Sequence, residues 1–197
     1  MAKALVDAGL LCRRLLADAL VRNAVFRHRG CGDETVTDLV SQVLRLVAGM
    51  EAIQVREALE SVQFDLLAGS RPELRLMITE HRAKGDLCVV LTASPAEIAE
   101  LVASGLGAHC GIGTKSEVVA GRYTGRLIGP VCYGRAKVES LDAAPVRPHW
   151  ASSTAYSDSV SDLPLLRAVG KAVVVCPDRR LRREAALNGW QFLTVDR

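Results

Sequence analysis

Aromatic residues are scarce in this chain of 197 residues, where Phe, Trp and Tyr together make up 4% of the sequence. Since 49% of the residues are hydrophobic, a core has to be built mostly from Leu, Val and Ala. No uncharged apolar run approaches the roughly 20 residues that a membrane-spanning helix needs, and arginines interrupt the amphipathic N-terminal stretch. The sequence therefore predicts a protein with no membrane partner and no signal peptide.

Closely spaced cysteines are also missing. The six cysteines are scattered along the chain, at Cys12, Cys31, Cys88, Cys110, Cys132 and Cys176. They form no Cys-x-x-Cys pair, and none has the spacing to a histidine that is typical of a zinc site. Scattered free thiols suit a reducing compartment, so we expect a cytoplasmic protein.

A strong excess of either charge is absent as well, because the formal net charge is only +3. This balance suits an anionic small-molecule substrate and does not require a nucleic-acid partner. The most basic run, Arg179–Arg183, straddles Leu181 and lies beside Asp178 and Glu184. That pattern favours a solvated helix face over a nucleic-acid-binding patch, so we expect no nucleic-acid partner.

The first third of the chain has a helical pattern. Apolar residues recur at helical spacing between Leu5 and Leu20. Asp33 is placed to cap a second helix that Gly49 ends, and Glu51–Leu59 forms a third. No strand pattern precedes Leu87, so we assign residues 1–68 to a helical cap region.

From residue 69 to residue 197, short apolar strands alternate with helices. A β-hairpin at Ser116–Ile128, with its turn at Ala120-Gly121-Arg122, interrupts this alternation. Alternating strands and helices predict an α/β fold, a doubly wound (Rossmann-like) parallel sheet with helices on both faces. The predicted strands are Leu87–Leu91, Ala108–Gly113, Ser152–Ser157, Lys171–Cys176 and Gln191–Val195.

Two carboxylates, Asp158 and Asp162, follow the strand that ends at Ser157. Carboxylates at the carboxyl edge of a parallel sheet are typical of a metal and phosphate site. The alternative is an ordinary helix N-terminus, with Ser157 or Asp158 as the N-cap and Asp162 in the first turn. The segment by itself leaves both interpretations open.

Two further segments carry candidate phosphate-binding residues. The strand from Leu87 opens into Thr92-Ala93-Ser94-Pro95, and Gly134 precedes Lys137 in the first turn of a predicted helix. Thr92 and Ser94 are placed either to cap the next helix or to bind an anion at its N-terminus, and the two roles are compatible. Lys137 is either a solvated helix lysine or a phosphate contact.

In this order, the segments with Thr92, Lys137, Asp158 and Asp162 resemble the haloacid dehalogenase-like hydrolases, in particular the phosphoserine phosphatase-like branch. The resemblance covers nearly the whole chain, from about Lys3 to the C-terminus. It implies that Thr92 and Lys137 bind the phosphoryl group and that Asp158 is a Mg²⁺ ligand. It implies that Asp158 and Asp162 form an acidic pair that holds Mg²⁺ and its supporting network, with a role for Asp162 as the partner of Lys137 favoured over a direct metal contact. The implied substrate is a small phosphorylated metabolite.

The chain departs from that family in one respect. Its members begin with a strand ending in Asp-x-Asp-x-Thr, whose first aspartate attacks phosphorus and whose second is the general acid/base. The 197 residues contain no Asp-x-Asp, and the nearest candidate, Val62–Leu67, lacks a second carboxylate. We therefore expect the first core strand to be missing, either because the true protein starts upstream or because this member is degenerate.

The sequence thus predicts a haloacid dehalogenase-like hydrolase of a small phosphomonoester that lacks its nucleophile and has little or no activity as it stands. The alternative is a non-catalytic protein that binds a phosphorylated ligand or a partner on the same fold. Unpaired inner sheet edges would favour a homodimer. Arg27, His28 and Arg29 are candidate substrate-facing residues of the cap, although a solvated loop explains them equally simply.

Overall fold

The structure is a computed structural model that describes residues 33–194, apart from 62, 69, 71 and 146. The predicted helix between Leu5 and Leu20, and the candidates Arg27, His28 and Arg29, lie outside the described residues. The chain divides into two compact units, Met1–Val131 and Cys132–Arg197, which are described separately below. The predicted boundary between cap and core at residues 68 and 69 stays a prediction.

The first unit contains five described helices and four strands. The helices are α1 (Asp33–Leu46), α2 (Ala52–Glu60), α3 (Gln63–Ala68), α4 (Pro72–Ala83) and α5 (Ala96–Leu106). The strands are β1 (Val89–Pro95), β2 (Cys110–Thr114), β3 (Ser116–Val119) and β4 (Arg122–Leu127). The helices predicted from Asp33 and Glu51 are present, whereas α3 was not predicted.

Helices α1 and α2 bury one apolar face each against the rest of this unit. The core cluster is mostly aliphatic, as the scarcity of aromatic residues predicts, and comprises Leu44, Val47, Val55, Ala58, Leu59 and Tyr123. Ile98 and Leu101 of α5 pack against the same cluster. The helical segment therefore shares its core with α5 and β4.

Strands β1 and β2 are parallel, with Val89 opposite Cys110, and the register shifts between Leu91 and Pro95. Glycines in β2 let the turn after β1 and helix α5 approach closely. A Cβ at Gly111 would overlap the backbone of Ala99 in α5, so this position excludes larger residues. A parallel pair joined by α5 is the arrangement that the alternating sequence pattern predicts.

Strands β3 and β4 form the predicted antiparallel hairpin, in which Val119 lies opposite Arg122. Its two-residue turn places Ala120 at φ 48° and Gly121 at φ 76°. Positive φ at both positions is typical of a type I′ turn, which suits the twist of hairpin strands. Only Gly121 adopts that conformation without steric cost.

The linker between α1 and α2 pairs with β4 as a short extra strand. The amide of Gly49 donates to the carbonyl of Tyr123 at 2.7 Å, and the amide of Tyr123 donates to the carbonyl of Met50 at 3.0 Å. Arg122 adds an ion pair with Glu51. The helical segment and the hairpin are thus joined by main-chain hydrogen bonds, a contact that no local sequence pattern predicts.

The second unit contains a three-stranded parallel sheet in the order β5-β6-β7. The strands are β5 (Thr154–Ser157), β6 (Lys171–Val175) and β7 (Gln191–Leu193). The helices are α6 (Ala136–Asp142), α7 (Leu163–Ala168) and α8 (Arg179–Asn188), with 3₁₀ turns at Trp150–Ser152 and Val160–Asp162. Four consecutive residues of the central strand β6 are buried, as expected for a strand covered on both faces.

The predicted elements of the second unit are all present, with shorter strands than expected. Strand β5 begins at Thr154 because Ser152 belongs to the preceding 3₁₀ turn. Gly189, at φ 65°, ends α8 in the left-handed conformation and leads into β7. No helix within residues 33–194 as described here has the length and apolar character needed to span a membrane.

Candidate active site

Lys137 and Asp162 form a buried ion pair in the second unit. The Nζ atom of Lys137 donates to Oδ1 of Asp162 at 2.6 Å, and each residue is 8% exposed. Lys137 reaches this position because Gly134, at φ 54°, turns the chain into α6 and places the lysine in its first turn. The solvated-lysine alternative is therefore wrong for Lys137, since burial of this cation is stabilised by a paired carboxylate.

Ser157 completes the buried group at the end of β5. Its hydroxyl donates to Oδ2 of Asp162 at 2.7 Å, so both carboxylate oxygens of Asp162 have a partner. Asp162 is thereby fixed by a cation on one oxygen and by a hydroxyl on the other. The pairing of Asp162 with Lys137, which the sequence analysis favoured over a direct metal contact, is present.

Asp158 differs from Asp162 in its environment. It follows β5 directly, it is exposed, and its carboxylate makes no hydrogen bond or ion pair with the part of the chain that the structure describes. Its own carbonyl accepts a hydrogen bond from the amide of Asp178 at 3.0 Å. The position thus combines a fixed backbone with a carboxylate that is available to a ligand.

The alternative of an ordinary helix N-terminus is right about Asp162, which lies in the first turn of the 3₁₀ helix, and wrong about the capping residue. The residue that caps the 3₁₀ turn is Ser159, whose hydroxyl accepts from the amide of Ser161, and neither Ser157 nor Asp158 acts as the N-cap. The N-cap position of α7 is Asp162, but its side chain makes no capping hydrogen bond. The carboxylates of Asp158 and Asp162 are therefore not used to satisfy the helix N-terminus.

The loop from Asp158 to Asp162, here called the β5 loop, has its own amides satisfied. The amide of Ser159 donates to the Ser157 hydroxyl, and the amide of Asp162 donates to the carbonyl of Ser159. The amide of Val160 donates to Oδ2 of Asp178 at 3.0 Å. Each amide from Ser159 to Asp162 thus has a partner, which fixes the backbone that carries Asp158.

Thr92 lies in β1 of the first unit, in the turn that precedes α5. Its Oγ1 accepts a hydrogen bond from the amide of Ser94 at 3.1 Å, which leaves the hydroxyl hydrogen able to donate. The interpretation of Thr92 or Ser94 as the cap of α5 is wrong, because Pro95 occupies the N-cap position and no side chain caps the helix. The turn instead presents hydroxyl groups beside a helix N-terminus.

Two residues that the sequence analysis missed hold the Thr92 turn against β2. The buried hydroxyl of Thr114 donates to the carbonyl of Ala93 at 2.8 Å. Gly113 has no side chain, and a Cβ there would come within 2.6 Å of the carbonyl oxygen of Ser94. Both features depend on contacts between strands distant in sequence, so the local pattern gives no signal for them.

Cys132 is the buried thiol of the second unit, at 1% exposure. Burial raises its pKa above the ordinary value, while a hydrogen bond with Ser140 and the charge of Lys137 act in the opposite direction. The raised pKa favours the protonated thiol, as expected of a buried cysteine.

The basic run of α8 is solvated, as the sequence analysis favoured. Arg179, Arg180, Arg182 and Arg183 are exposed, and Leu181 between them is fully buried. Glu184 pairs with Arg167 of α7 at 2.8 Å rather than with a neighbour in the run. The run thus covers the outer face of a helix whose apolar face packs inward.

The donor set for a metal is incomplete within the part of the chain that the structure covers. Mg²⁺ prefers about six oxygen ligands, and Asp158 supplies one suitable carboxylate. The described residues contain no group of three acidic, histidine or cysteine side chains that could hold a metal ion. Asp158 fits one position of a Mg²⁺ shell, whereas a complete site needs further carboxylates.

These residues occur in a chain that belongs to the haloacid dehalogenase-like hydrolase family, whose sequence profile matches residues 2–167. The probable phosphatase Rv3661 of Mycobacterium tuberculosis is 34% identical over 192 residues, which cover 96% of this chain and 67% of that protein. Phosphoserine phosphatase SerB1 of the same organism is 32% identical over 167 residues, which cover 82% of this chain and 54% of that protein. The chain thus spans between half and two thirds of the length of these relatives.

Solved structures support the same fold. A protein of unknown function from Bordetella pertussis Tohama I superposes with a TM-score of 0.78 and 28% identity, covering 99% of this chain and 89% of that chain. A probable phosphoserine phosphatase from Vibrio cholerae superposes with a TM-score of 0.63 and 16% identity, covering 96% of this chain and 54% of that chain. The second likeness concerns the fold alone. The predicted phosphoserine phosphatase-like α/β fold is confirmed.

Proposed function

We propose that this chain carries the phosphate- and metal-binding part of a phosphatase active site that acts on a small phosphomonoester. Lys137 neutralises the phosphoryl charge, Thr92 donates to a phosphoryl oxygen, and Asp158 binds Mg²⁺. Asp162 holds Lys137 and does not bind the metal itself. When bound, Mg²⁺ would polarise the phosphoryl group and offset its negative charge.

The observation that carries this proposal is the contrast between the two aspartates of the β5 loop. Asp162 is buried with Lys137 and Ser157, whereas Asp158 is exposed with no partner for its carboxylate. The exposed carboxylate of Asp158 is open to a ligand, and the same loop carries Asp162, the buried partner of Lys137. A metal ligand near a phosphate-binding lysine is consistent with this arrangement.

The 197 residues by themselves lack part of the chemistry that a phosphatase needs. Covalent phosphoryl transfer needs an attacking carboxylate, and no Asp-x-Asp pair is present in the sequence. Asp158 alone leaves most Mg²⁺ ligands to water. The chain therefore binds a phosphorylated ligand weakly and turns it over little or not at all.

Phosphate binding tests the proposal directly. Inorganic phosphate is titrated, with Mg²⁺ present, into the isotopically labelled chain while the amide resonances are followed by NMR. The amides of Thr92, Lys137 and the β5 loop should shift with one common midpoint, because one ligand contacts all three. Thr92→Val should weaken this binding about tenfold, which corresponds to the loss of one charge-assisted hydrogen bond.

Thr79→Val is the matched control, because Thr79 is an exposed helix threonine whose hydroxyl donates to the carbonyl of Arg75. It should leave the phosphate midpoint unchanged. Separate midpoints for Thr92 and Lys137, or no shift at either residue, would contradict the proposal.

The second candidate function is a non-catalytic protein that binds a phosphorylated ligand or a partner through the same site. The absence of Asp-x-Asp favours it. Both candidate functions predict phosphate binding. They differ in the hydrolysis expected once an attacking carboxylate is supplied, because only the phosphatase should then turn over a phosphomonoester. The scattered positions of the six cysteines, with no Cys-x-x-Cys pair, support a reducing, cytoplasmic location for either function.

A further inference from the structure

The turn that carries Thr92 is an irregularity in the pairing of β1 with β2. The register shifts between Leu91 and Pro95, so that residues 92–94 of β1 lie opposite Gly113 alone. Extra residues in one strand bend that strand and change the direction of its side chains, and such bulges are common beside ligand sites. The fold of this bulge therefore decides where the Thr92 side chain points.

One peptide group within the bulge is held at both of its polar ends. The carbonyl of Ala93 accepts a hydrogen bond from the hydroxyl of Thr114 at 2.8 Å. The amide of Ser94, which belongs to the same peptide group, donates to Oγ1 of Thr92 at 3.1 Å. Thr114 is only 1% exposed, so its hydrogen bond to the carbonyl is shielded from water. Two hydrogen bonds and one rigid peptide plane thus connect Thr114 to Thr92.

This connection restricts the direction in which the Thr92 hydroxyl can donate. A hydroxyl group has one hydrogen to donate and two lone pairs that accept. Because the amide of Ser94 donates to Oγ1, the hydroxyl hydrogen of Thr92 is turned away from Ser94. If the peptide plane rotated, the amide would move away from Oγ1 and the hydroxyl could turn freely. Thr114 holds that plane in place.

We propose that Thr114 is a positioning residue that orients the Thr92 hydroxyl toward a phosphoryl oxygen of the ligand. This inference rests on the proposed phosphate contact of Thr92 and involves no metal ion. The turn fits an anion, because its hydroxyl donor lies beside the N-terminus of α5, which no side chain caps. Thr114 acts through the peptide group and does not contact the ligand, since its own hydroxyl donates to Ala93.

Thr114→Val tests the proposal, because valine removes the hydroxyl and keeps the branched shape of the buried side chain. Amide hydrogen exchange at Ser94 should accelerate. The inorganic phosphate concentration at the midpoint of the Thr92 amide shift should rise about fivefold, as expected for one hydrogen bond of average strength. Wild-type phosphate binding in Thr114→Val would overturn the proposal.

Thr114→Ser distinguishes the hydroxyl of Thr114 from its packing. Serine keeps the donor to the carbonyl of Ala93 and loses only the methyl group, so phosphate binding should equal that of the wild type. If serine weakens binding as much as valine does, the packing of the methyl group is what matters, and the proposal is wrong.

A double variant provides a readout that a merely structural role would not give. If Thr114 acts only through Thr92, Thr92→Val/Thr114→Val should bind phosphate as weakly as Thr92→Val alone, because the oriented hydroxyl is already gone. A further fivefold loss in the double variant would show that the two residues act independently and would overturn the proposal.

Thr124→Val is the matched control for the loss of a strand hydroxyl in the same unit. Thr124 lies in β4, and its hydroxyl donates to the carboxylate of Glu117 at 2.6 Å. Its removal should leave the phosphate midpoint unchanged. A fivefold loss in this variant would show that general loosening of the unit weakens binding, which contradicts a specific role for Thr114.

The wild-type chain separates this inference from the proposed function on which it rests. If inorganic phosphate shifts no resonance of the Thr92 turn, the phosphate contact of Thr92 fails, and the positioning role fails with it. If the wild type binds phosphate there and Thr114→Val binds equally well, only the inference about Thr114 fails. Hydrogen exchange at Ser94 in the wild type needs no variant, and exchange as fast as that of an unprotected amide would also overturn the inference.

Discussion

At the scale of single residues, the buried pair of Lys137 and Asp162 has a structural role in addition to the chemical role proposed for Lys137. Removing two ions from water is costly, and their mutual attraction offsets that cost only when the remaining hydrogen-bonding positions are also used. Ser157 meets this condition by donating to the second oxygen of Asp162. The pair is thus held in one geometry at the end of β5.

Breaking this pair should be strongly destabilising. Lys137→Met leaves the carboxylate of Asp162 buried with only the Ser157 hydroxyl as a partner, so the free energy of unfolding should fall by about 3 kcal/mol. The double variant Lys137→Gln/Asp162→Asn keeps a hydrogen bond between neutral groups and should recover most of that loss. Chemical denaturation of the three proteins measures these differences.

The double variant also separates stability from ligand binding. It should fold like the wild type yet fail to bind inorganic phosphate, because the cation that neutralises the phosphoryl charge is gone. Phosphate binding equal to that of the wild type would show that Lys137 is a structural residue only.

Tyr123 predicts a pH dependence for the first unit. Its hydroxyl donates to Oε1 of Glu97 at 2.7 Å and its ring is buried in the core cluster, at 5% exposure. Burial, and then the hydrogen bond to Glu97, raises the pKa of Tyr123 above its ordinary value. The folded state therefore retains the phenolic proton at a pH where the unfolded state loses it.

A raised folded-state pKa gives stability that is present below the unfolded pKa, about 10 for tyrosine, and is lost as the pH rises above it. The free energy of unfolding should thus decline above about pH 10. In Tyr123→Phe that decline should be shallower, and stability at neutral pH should fall by about 1 kcal/mol through the lost hydrogen bond. Identical alkaline slopes for the two proteins in urea titrations would contradict this assignment.

At the scale of elements, the sequence predicted what local patterns determine. The apolar periodicity of α1 and the turn of the β3–β4 hairpin depend on neighbouring residues, and both were predicted. Helix α3 was missed because its six residues, Gln63–Ala68, are too few to show a helical period. The pairing of Glu51 with Arg122 was missed because it joins segments that are distant along the chain.

The hairpin turn contains Ala120 in a strained backbone conformation, and a substitution at this position can raise the free energy of unfolding. Ala120 has φ 48°, a conformation that asparagine tolerates better than alanine. Ala120→Asn should raise the free energy of unfolding by about 0.5–1 kcal/mol, whereas Ala120→Val should lower it, since a β-branched residue is disfavoured there. Thermal denaturation compares both variants with the wild type, and a destabilising Ala120→Asn would show that the turn is not type I′.

Some residues of the candidate site were predicted from the sequence and others were not, again because local patterns do not show contacts between distant segments. Lys137, Asp158 and Asp162 were predicted from the order of their motifs, and the structure shows the pairing of Lys137 with Asp162 that the family resemblance implied. Ser157 and Asp178 were missed as site residues because their contacts with the β5 loop depend on the folded positions of β5 and β6. A serine and an aspartate near strand ends have no distinctive local spacing.

At the scale of the whole molecule, each unit contains a parallel sheet with a strand paired on one side only. Among the described strands, β1 pairs with β2 alone and β5 pairs with β6 alone. An unpaired strand edge promotes association with another chain. We therefore expect concentration-dependent self-association in sedimentation velocity, and a monomer at all accessible concentrations would contradict this expectation.

The central claim is that the chain binds phosphate and Mg²⁺ but lacks the carboxylate that attacks phosphorus. Measuring the hydrolysis of an aryl phosphate in the presence of Mg²⁺ tests this claim most directly. The 197-residue chain should show little or no hydrolysis, and a fusion that supplies an apolar strand ending in Asp-x-Asp-x-Thr should show hydrolysis that Asp158→Asn removes. Robust hydrolysis by the unfused chain, lost in Asp158→Asn, would contradict the account.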